Sequence, residues 1–344
     1  MKKVNIRDVA KEAGVSITTV SRALNGYSDV SAKTRARILE IVERLEYAPD
    51  ANARALGSKE TITIGLLLSD LASTDDNGFV HGNMCGVYEA CSEYNCEFVL
   101  MITESEHQKM KSFRQLCKRN NLSGIVVTGL RTNDPFYEEM LKSDIPCAVV
   151  DMETTGNMKC TVTIDNIAAS QEAVNYLISQ GHRHIAMLNG SKVADVSIRR
   201  YAGYKGAMID HDFLMPNDYV RYGDFSEVKA YNEVLDLLNK YPDITAIFCA
   251  SDVMALGAIR AVHKMGKAVP ADISIIGFDD IPVAKYVYRG LSTVRQNPNE
   301  IGYAAGKVVY QMIQGQQVDN KIVLPHELII RETTSLVRGS LNSK

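Results

Sequence analysis

The stretch IRDVAKEAGVSITTVSRALN, residues 6–25, holds two short helical patterns joined through a glycine. Asn5, just ahead of it, can cap a first helix over residues 6–13, with Asp8 at the third helical position and Gly14 as the stop. Ser16 can cap the second helix, and Val15 before that cap can staple against Val20. Val20 and Leu24 lie four apart and should face Ile6 and Val9. A three-to-four-residue turn between two such helices is the sequence form of a helix-turn-helix. The opposite face of the second helix then presents Ile17, Thr18, Ser21, Arg22 and Asn25. Arginine can bridge the two guanine acceptors in a major groove, an Ile or Thr methyl can meet the thymine methyl, and Ser, Thr and Asn donate to phosphates and base edges. Sequence alone also allows a plain helical bundle with a polar outer face.

Outward from this stretch, Ser31 can cap a third helix in which Ile38, Val42 and Leu45 repeat at helical spacing. In YAPDANARAL (47–56), Pro49 stops that helix and Asp50 can cap a short new one over 51–56. Six residues are too few to hold a helix alone, so this piece should fold conditionally. From residue 61 apolar strands alternate with amphipathic helices. TITIGLLL (61–68), CEFVLMI (96–102), GIVVT (124–128), PCAVVD (146–151) and TVTI (161–164) form one series. HIAMLN (184–189), DYVRY (218–222), TAIFCA (245–250) and ISIIG (273–277) form a second. Strands apolar throughout, with helices between them, imply parallel sheets covered on both faces. The fold class is therefore an all-α helix-turn-helix head plus an α/β body of two doubly wound parallel-sheet lobes. The expected boundaries are 1–46 for the head, 47–60 for hinge and linker, and 61–344 for the body. Within the body, one lobe takes about 61–162 plus 292–322 and the other about 163–291 plus 323–344.

Composition agrees with two or three globular domains: 344 residues, 46% hydrophobic and 23% charged. No apolar run approaches the ~18–20 residues of a membrane span, and no apolar core follows the basic start, so neither a membrane anchor nor a secretory signal is expected. The seven cysteines (85, 91, 96, 117, 147, 160, 249) include no Cys-x-x-Cys pair, which points to reduced thiols in a cytoplasm rather than a zinc site or disulfide framework. The net charge of −3 argues against nucleic acid until it is divided: residues 1–60 carry 11 Lys+Arg against 8 Asp+Glu, the remainder 27 against 33. A basic head on an acidic body meets a polyanion through the head alone.

NIRDVAKEAGVSITTVSRALNG (5–26), VSAKTRARI (30–38) and YAPDANARAL (47–56) resemble the DNA-binding head and hinge of the lactose-repressor (LacI/GalR) family. GHRHIAML (181–188), RRYAGYKGAM (199–208), ASDVMALGAIRA (250–261) and IIGFDD (275–280) resemble that family's effector-domain signatures, so the likeness spans nearly the whole chain. It implies a homodimeric transcription regulator, a repressor, with a periplasmic-binding-protein-like sensor body. It implies Ile17, Thr18 and Arg22 as base readers and places Asn5, Ser16, Thr19, Ser21 and Asn25 in the same DNA-facing set. Leu56, with Ala53 beside it in the hinge, corresponds to a leucine wedged into the minor groove, where an apolar side chain unstacks a base step. It further implies Arg200, Phe225 and Gln296 as pocket residues.

Ligands of open α/β sheets bind at the carboxyl ends of strands. Residues at such ends are Ser69 and Asp70, Asp151, Ser251 and Asp279. Each carboxylate also reads as a helix cap or a loop residue. Three positions depart from the family pattern: Asp50 stands where Asn or Ser is usual, the 70–80 loop is longer and lacks an aromatic pair after a proline, and Ser251 replaces a frequent Asn. No phosphate-binding P-loop, dinucleotide fingerprint or nucleophile elbow occurs, and no cofactor or metal is expected. His182 and His184 alternate along a strand and so point apart. The expected function is binding of a pseudo-palindromic double-stranded operator, controlled by a small cytoplasmic metabolite between the lobes. A sugar or sugar derivative fits best, ahead of a nucleobase or sugar phosphate. The rival readings are a solute-binding sensor and an enzyme on the same fold, and the second lacks a nucleophile–base pair.

Overall fold

The computed structural model describes residues 4–24, 27, 29–45, 47, 61–69, 78–110, 112–213, 216–287 and 290–337. The expected hinge helix with Asp50, Ala53 and Leu56, together with Asn25 and Asp70, lies outside the described residues. Contacts divide the chain into two compact units, Met1–Ile62 and Thr63–Lys344.

The first unit is built on α1 (Ile6–Ala13), α2 (Ile17–Leu24) and α3 (Ala32–Arg44). Its helix starts follow the caps expected from sequence. Asn5 Oδ1 accepts from Asp8 N at 3.4 Å while Asp8 Oδ2 accepts from Asn5 N at 2.9 Å, a reciprocal capping box, and Arg7 N adds a bond to Asn5 Oδ1 at 2.9 Å. Ser16 Oγ accepts from Thr19 N at 3.1 Å, and Ser31 Oγ from Thr34 N at 3.2 Å. Gly14 adopts φ 61°, which ends α1. Arg37 donates to Ala13 O at 2.6 Å, satisfying one of the carbonyls left over there. Val9, Val20, Ile38 and Ile41 form the core, with Ile6 and Leu24 packed at its margin. The two pairs of apolar residues meet as their spacing requires.

The second unit holds two six-stranded sheets. The first contains β1 (Thr63–Ser69), β2 (Glu97–Thr103), β3 (Gly124–Thr128), β4 (Cys147–Val150), β5 (Lys159–Ile164) and, from far along the chain, Lys321–Leu324; its order is Lys321–Leu324, β5, β4, β3, β1, β2, all parallel. The second contains β6 (Ile185–Asn189), β7 (Val220–Tyr222), β8 (Ala246–Cys249), β9 (Ser274–Asp279), β10 (Ser292–Arg295) and Glu327–Ile329, ordered Glu327–Ile329, β10, β9, β8, β6, β7; only the first pair is antiparallel. Every residue of β1, β3, β4, β5, β6 and β8 is buried. That is why most of these strands read as apolar runs, with helices covering both faces; the buried Lys159, Thr161 and Thr163 of β5 are the exception.

The longer helices of this unit are α4 (Gly78–Glu93), α5 (Asn166–Ser179), α6 (Asp195–Asp210), α7 (Glu227–Lys240), α8 (Asp252–Lys264) and α9 (Pro298–Ile313). The chain passes between the sheets three times: after β5, after β10 and between Leu324 and Glu327. Here one boundary differs from expectation. The sequence places Ser292–Arg295 in the first lobe, but Thr293, Val294 and Arg295 pair with Gly277, Phe278 and Asp279 of the second sheet. The crossing follows the strand because the helix that returns, α9, begins only at Pro298.

Candidate functional sites

On the head, the face of α2 away from Val20 and Ala23 carries Ile17 (43% exposed), Thr18 and Arg22, all exposed, with Ser21 partly so. An exposed isoleucine on a small domain is costly to leave in water and is available for an apolar contact. Ser16 and Thr19 share their hydroxyls at 2.8 Å at the start of the helix. Asn5 is spent on its capping box, so its contribution to this face is the exposed start of α1. Arg22 ion-pairs with Asp29 at 2.6 Å and lies 5.2 Å from the ring centre of Tyr27.

In the body, the carboxyl ends of the strands carry the second candidate site, and Arg200 is its centre. This arginine, on α6, is 3% exposed. Its Nε donates to Asn166 Oδ1 at 2.9 Å and its Nη1 to Ala250 O at 2.6 Å; Nη1 lies 3.9 Å from Asp279 Oδ1, and the guanidinium sits 3.6 Å over the Phe278 ring. Asp279 in turn accepts from Gln296 Nε2 at 2.7 Å. On the first-sheet side, Asp151 accepts from Thr163 Oγ1 at 2.5 Å, and Asn166 Nδ2 donates to that same hydroxyl at 3.2 Å. One chain of polar contacts therefore runs from Asp151 through Thr163, Asn166, Arg200 and Asp279 to Gln296, hydrogen-bonded except for the Arg200–Asp279 ion pair, and it touches both lobes. The Oε1 of Gln296 is buried with no hydrogen-bond partner.

The remaining expected residues are placed differently. Ser69 is buried; Gln108 Nε2 donates to its hydroxyl at 3.0 Å, and the hydroxyl donates to Asp134 at 3.4 Å, so it is engaged within the first lobe. Ser251 is buried as the cap of α8, accepting from Met254 N at 3.2 Å. Phe225 lies against the turn after β6: a Cβ added at Gly190 would stand 2.1 Å from its Cζ. On the same rim, Thr132 N donates to Val193 O at 3.0 Å and Arg199 pairs with Glu153 at 2.9 Å, joining the two lobes. His182 is buried between Thr245 Oγ1 and Ser335 O at 2.9 and 3.0 Å, and His184 pairs with Asp243, so the two histidines serve separate structural contacts.

Electrostatics sets Arg200 against two carboxylates. Burial raises the Asp279 carboxyl to about 6, offset in part by Arg200 and Gln296. Burial likewise raises Asp151 against the pull of Arg200, Thr163 and Asn166, and burial lowers Arg200 against the pull of Asp279 and Asp151. Asp151 (φ 60°), Phe225 (φ 60°), Asp279 (φ 112°) and Asp280 (φ 52°) occupy left-handed backbone, a conformation that costs a non-glycine residue ~1–3 kcal/mol. The turn after β9 is fastened from below: the fully buried Asp252 accepts from Ile281 N at 2.9 Å and from Thr293 Oγ1 at 2.6 Å, while Asp280 pairs with Arg295 at 2.8 Å and Arg331 at 2.7 Å. Sequence reading missed Thr163, Asn166 and Asp252. Thr163 and Asn166 stand at the end of β5, so the strand-end rule that found Asp151 reaches them too. Asp252 carried no such signal.

The chain is similar to known proteins along nearly its whole length. A model of bacterial regulatory proteins, lacI family, matches residues 5–50, and one of the periplasmic binding protein-like domain matches residues 174–334. The ribose operon repressor of Halalkalibacterium halodurans is 33% identical over 340 residues, covering 98% of this chain and 98% of the repressor. The lac repressor dimer bound to operator and the anti-inducer ONPF has a TM-score of 0.83 at 29% identity, over 97% of this chain and 100% of that one. The transcriptional regulator CelR–cellobiose complex has a TM-score of 0.72 at 28% identity, over 96% and 99%.

Proposed function

This chain belongs to the lactose-repressor (LacI) family of bacterial regulatory proteins, and from that premise we propose how its own residues do the work. It is a DNA-binding transcriptional regulator, a homodimeric repressor whose operator affinity is set by a sugar or sugar derivative in the body. Neither an enzyme nor a plain solute carrier accounts for a lacI-type head on this body. Among the described residues no helix is long and apolar enough to cross a membrane, and a repressor acts where the DNA is, in the cytoplasm. The expected division into head (1–46), hinge (47–60) and body (61–344) is retained. Ile17, Thr18 and Arg22 read bases; Asn5, Ser16, Thr19, Ser21 and Asn25 hold the backbone; Ala53 and Leu56 act at the operator centre.

The observation that carries the effector reading is the chain of groups about Arg200. A polyol offers each of its hydroxyls as donor and acceptor together. Asp151 and Asp279 accept, Arg200 donates, and the unpaired Oε1 of Gln296 takes one more donor. Two carboxylates to one guanidinium disfavour a phosphate, which places a neutral sugar ahead of a sugar phosphate. Phe225 supplies an apolar face for a ring. Ser69 and Ser251 act indirectly, the first through Gln108 and Asp134 and the second through the helix start it caps; Asp70 is retained from the sequence reading as a further ligand contact. Ligand and operator then answer to each other reciprocally, as linkage requires.

The test is a thermal-shift screen of the full chain against neutral sugars, sugar phosphates and nucleobases. At ~100 times its dissociation constant an effector stabilises by ~2.7 kcal/mol. A hit confined to sugar phosphates or nucleobases overturns the assignment of ligand class.

A further inference from the structure

We infer that Asp29 is a specificity-determining residue of the DNA-reading face, acting through Arg22; this deepens the function proposed above and rests on Arg22 as a base reader. Asp29 Oδ2 stands 2.6 Å from Arg22 Nη2, and the Tyr27 ring lies 5.2 Å from the guanidinium carbon. The backbone that presents these two side chains is tied on three sides. Tyr27 N donates to Arg22 O at 3.1 Å, Val30 N donates to Tyr27 O at 3.4 Å, and the Arg35 guanidinium donates to the same carbonyl. Val30 itself is buried in the core of the head. Asp29 is thus held where it is by the fold, not merely near Arg22 in sequence.

The pair does little for stability. Its side chains are 47% and 51% exposed, and exposed ion pairs contribute only ~0–1 kcal/mol. Its consequence is at the face it occupies. A guanidinium has five N–H donors in a rigid fork. With one Nη2 edge engaged by a carboxylate and the plane flanked by a tyrosine, the rest of the fork is fixed in direction before DNA arrives. Bidentate pairing with guanine O6 and N7 needs that fixed direction, whereas a phosphate accepts a guanidinium from many angles. The carboxylate also partly cancels the charge that would draw Arg22 onto phosphates. Both effects act in one direction: they weaken binding to arbitrary DNA more than binding to the correct site.

The experiment uses the full chain and two probes: a duplex selected by the wild-type protein from a randomised palindromic pool, and a shuffled duplex of the same length. Asp29→Asn is expected to bind the shuffled duplex several-fold more tightly, and the ratio of selected to shuffled affinity is expected to fall about tenfold. Its log–log salt slope on the shuffled duplex steepens by about 0.9 for each head as Arg22 turns to a phosphate. Asp29→Glu keeps the charge and retains most of the ratio, which separates the role from any loss of folding. In an Arg22→Ala background, Asp29→Asn should leave the ratio unmoved. An unchanged ratio in Asp29→Asn, or an equal change with and without Arg22, overturns the inference while leaving Arg22 a reader. If Arg22→Ala alone leaves the ratio intact, the reading of Arg22 fails and the inference with it.

Discussion

Replacing Arg200 by alanine removes a guanidinium that is 3% exposed and that serves Asn166, Ala250 O and Asp279 together. Two buried acceptors lose their donor, and two carboxylates lose the charge that offsets their burial. Removing one partner of a buried ion pair costs ~3–5 kcal/mol, and we take about 4 kcal/mol for the sum because these losses overlap. At ~2 °C per kcal/mol for a body of this size, calorimetry of the full chain should show the body transition about 8 °C lower at pH 8. The loss depends on pH with a definite sign. Asp279 titrates at about 6 in the fold against ~3.9 unfolded. It therefore binds its proton more tightly when folded, and ionising it lowers stability as the pH rises from 4 through 6. At pH 5 that carboxyl is largely neutral and needs Arg200 less, so the fall should shrink to roughly half, about 2 kcal/mol. A change under 2 °C at pH 8, or a fall as large at pH 5 as at pH 8, would refute the account of Arg200 as the buried pivot of the cleft.

Other measurements test neighbouring claims. Effector affinity should fall as the pH drops through about 6, because the protonated Asp279 no longer gives charge-assisted bonds; in Asp279→Asn the profile, measured by titration calorimetry, should be flat across that range. Gly190→Ala puts a methyl 2.1 Å from the Phe225 ring; the ring must move, and effector affinity should weaken about tenfold while operator affinity without effector stays the same. Sedimentation at micromolar concentration should give the dimer proposed above; a stable tetramer would contradict this.

Much of this arrangement is legible in the sequence because local signals and global packing agree. The head's helices begin at Asn5, Ser16 and Ser31 as capping chemistry predicts. Most of the buried strands announce themselves by runs of apolar residues, although Lys159–Ile164 carries a lysine and two threonines that are equally buried. The position of Ser292–Arg295 is a different matter: four residues of mixed character carry no mark of the sheet they join, and hydrogen bonding to β9 decides it. The strand-end rule finds Asp151 and Asp279, and the likeness to a known family supplies Arg200 and Gln296, yet neither says that Ser69 and Ser251 are already engaged. Ser251 is taken up locally as the cap of its own helix through Met254 N, whereas the engagement of Ser69 depends on Gln108, whose role arises only when distant segments meet. Asp252 is invisible for the same reason. Its partners, Ile281 and Thr293, are tens of residues away.

The left-handed backbone at Asp151 and Asp279 has a consequence for the protein's descent. Glycine adopts that conformation freely and asparagine more easily than most residues. At both positions, the change that would relax the chain also removes a charge from the cleft. Selecting variants of this chain for persistence alone, at high temperature or under proteolysis, would therefore be expected to favour sturdier repressors that have gone deaf to their signal.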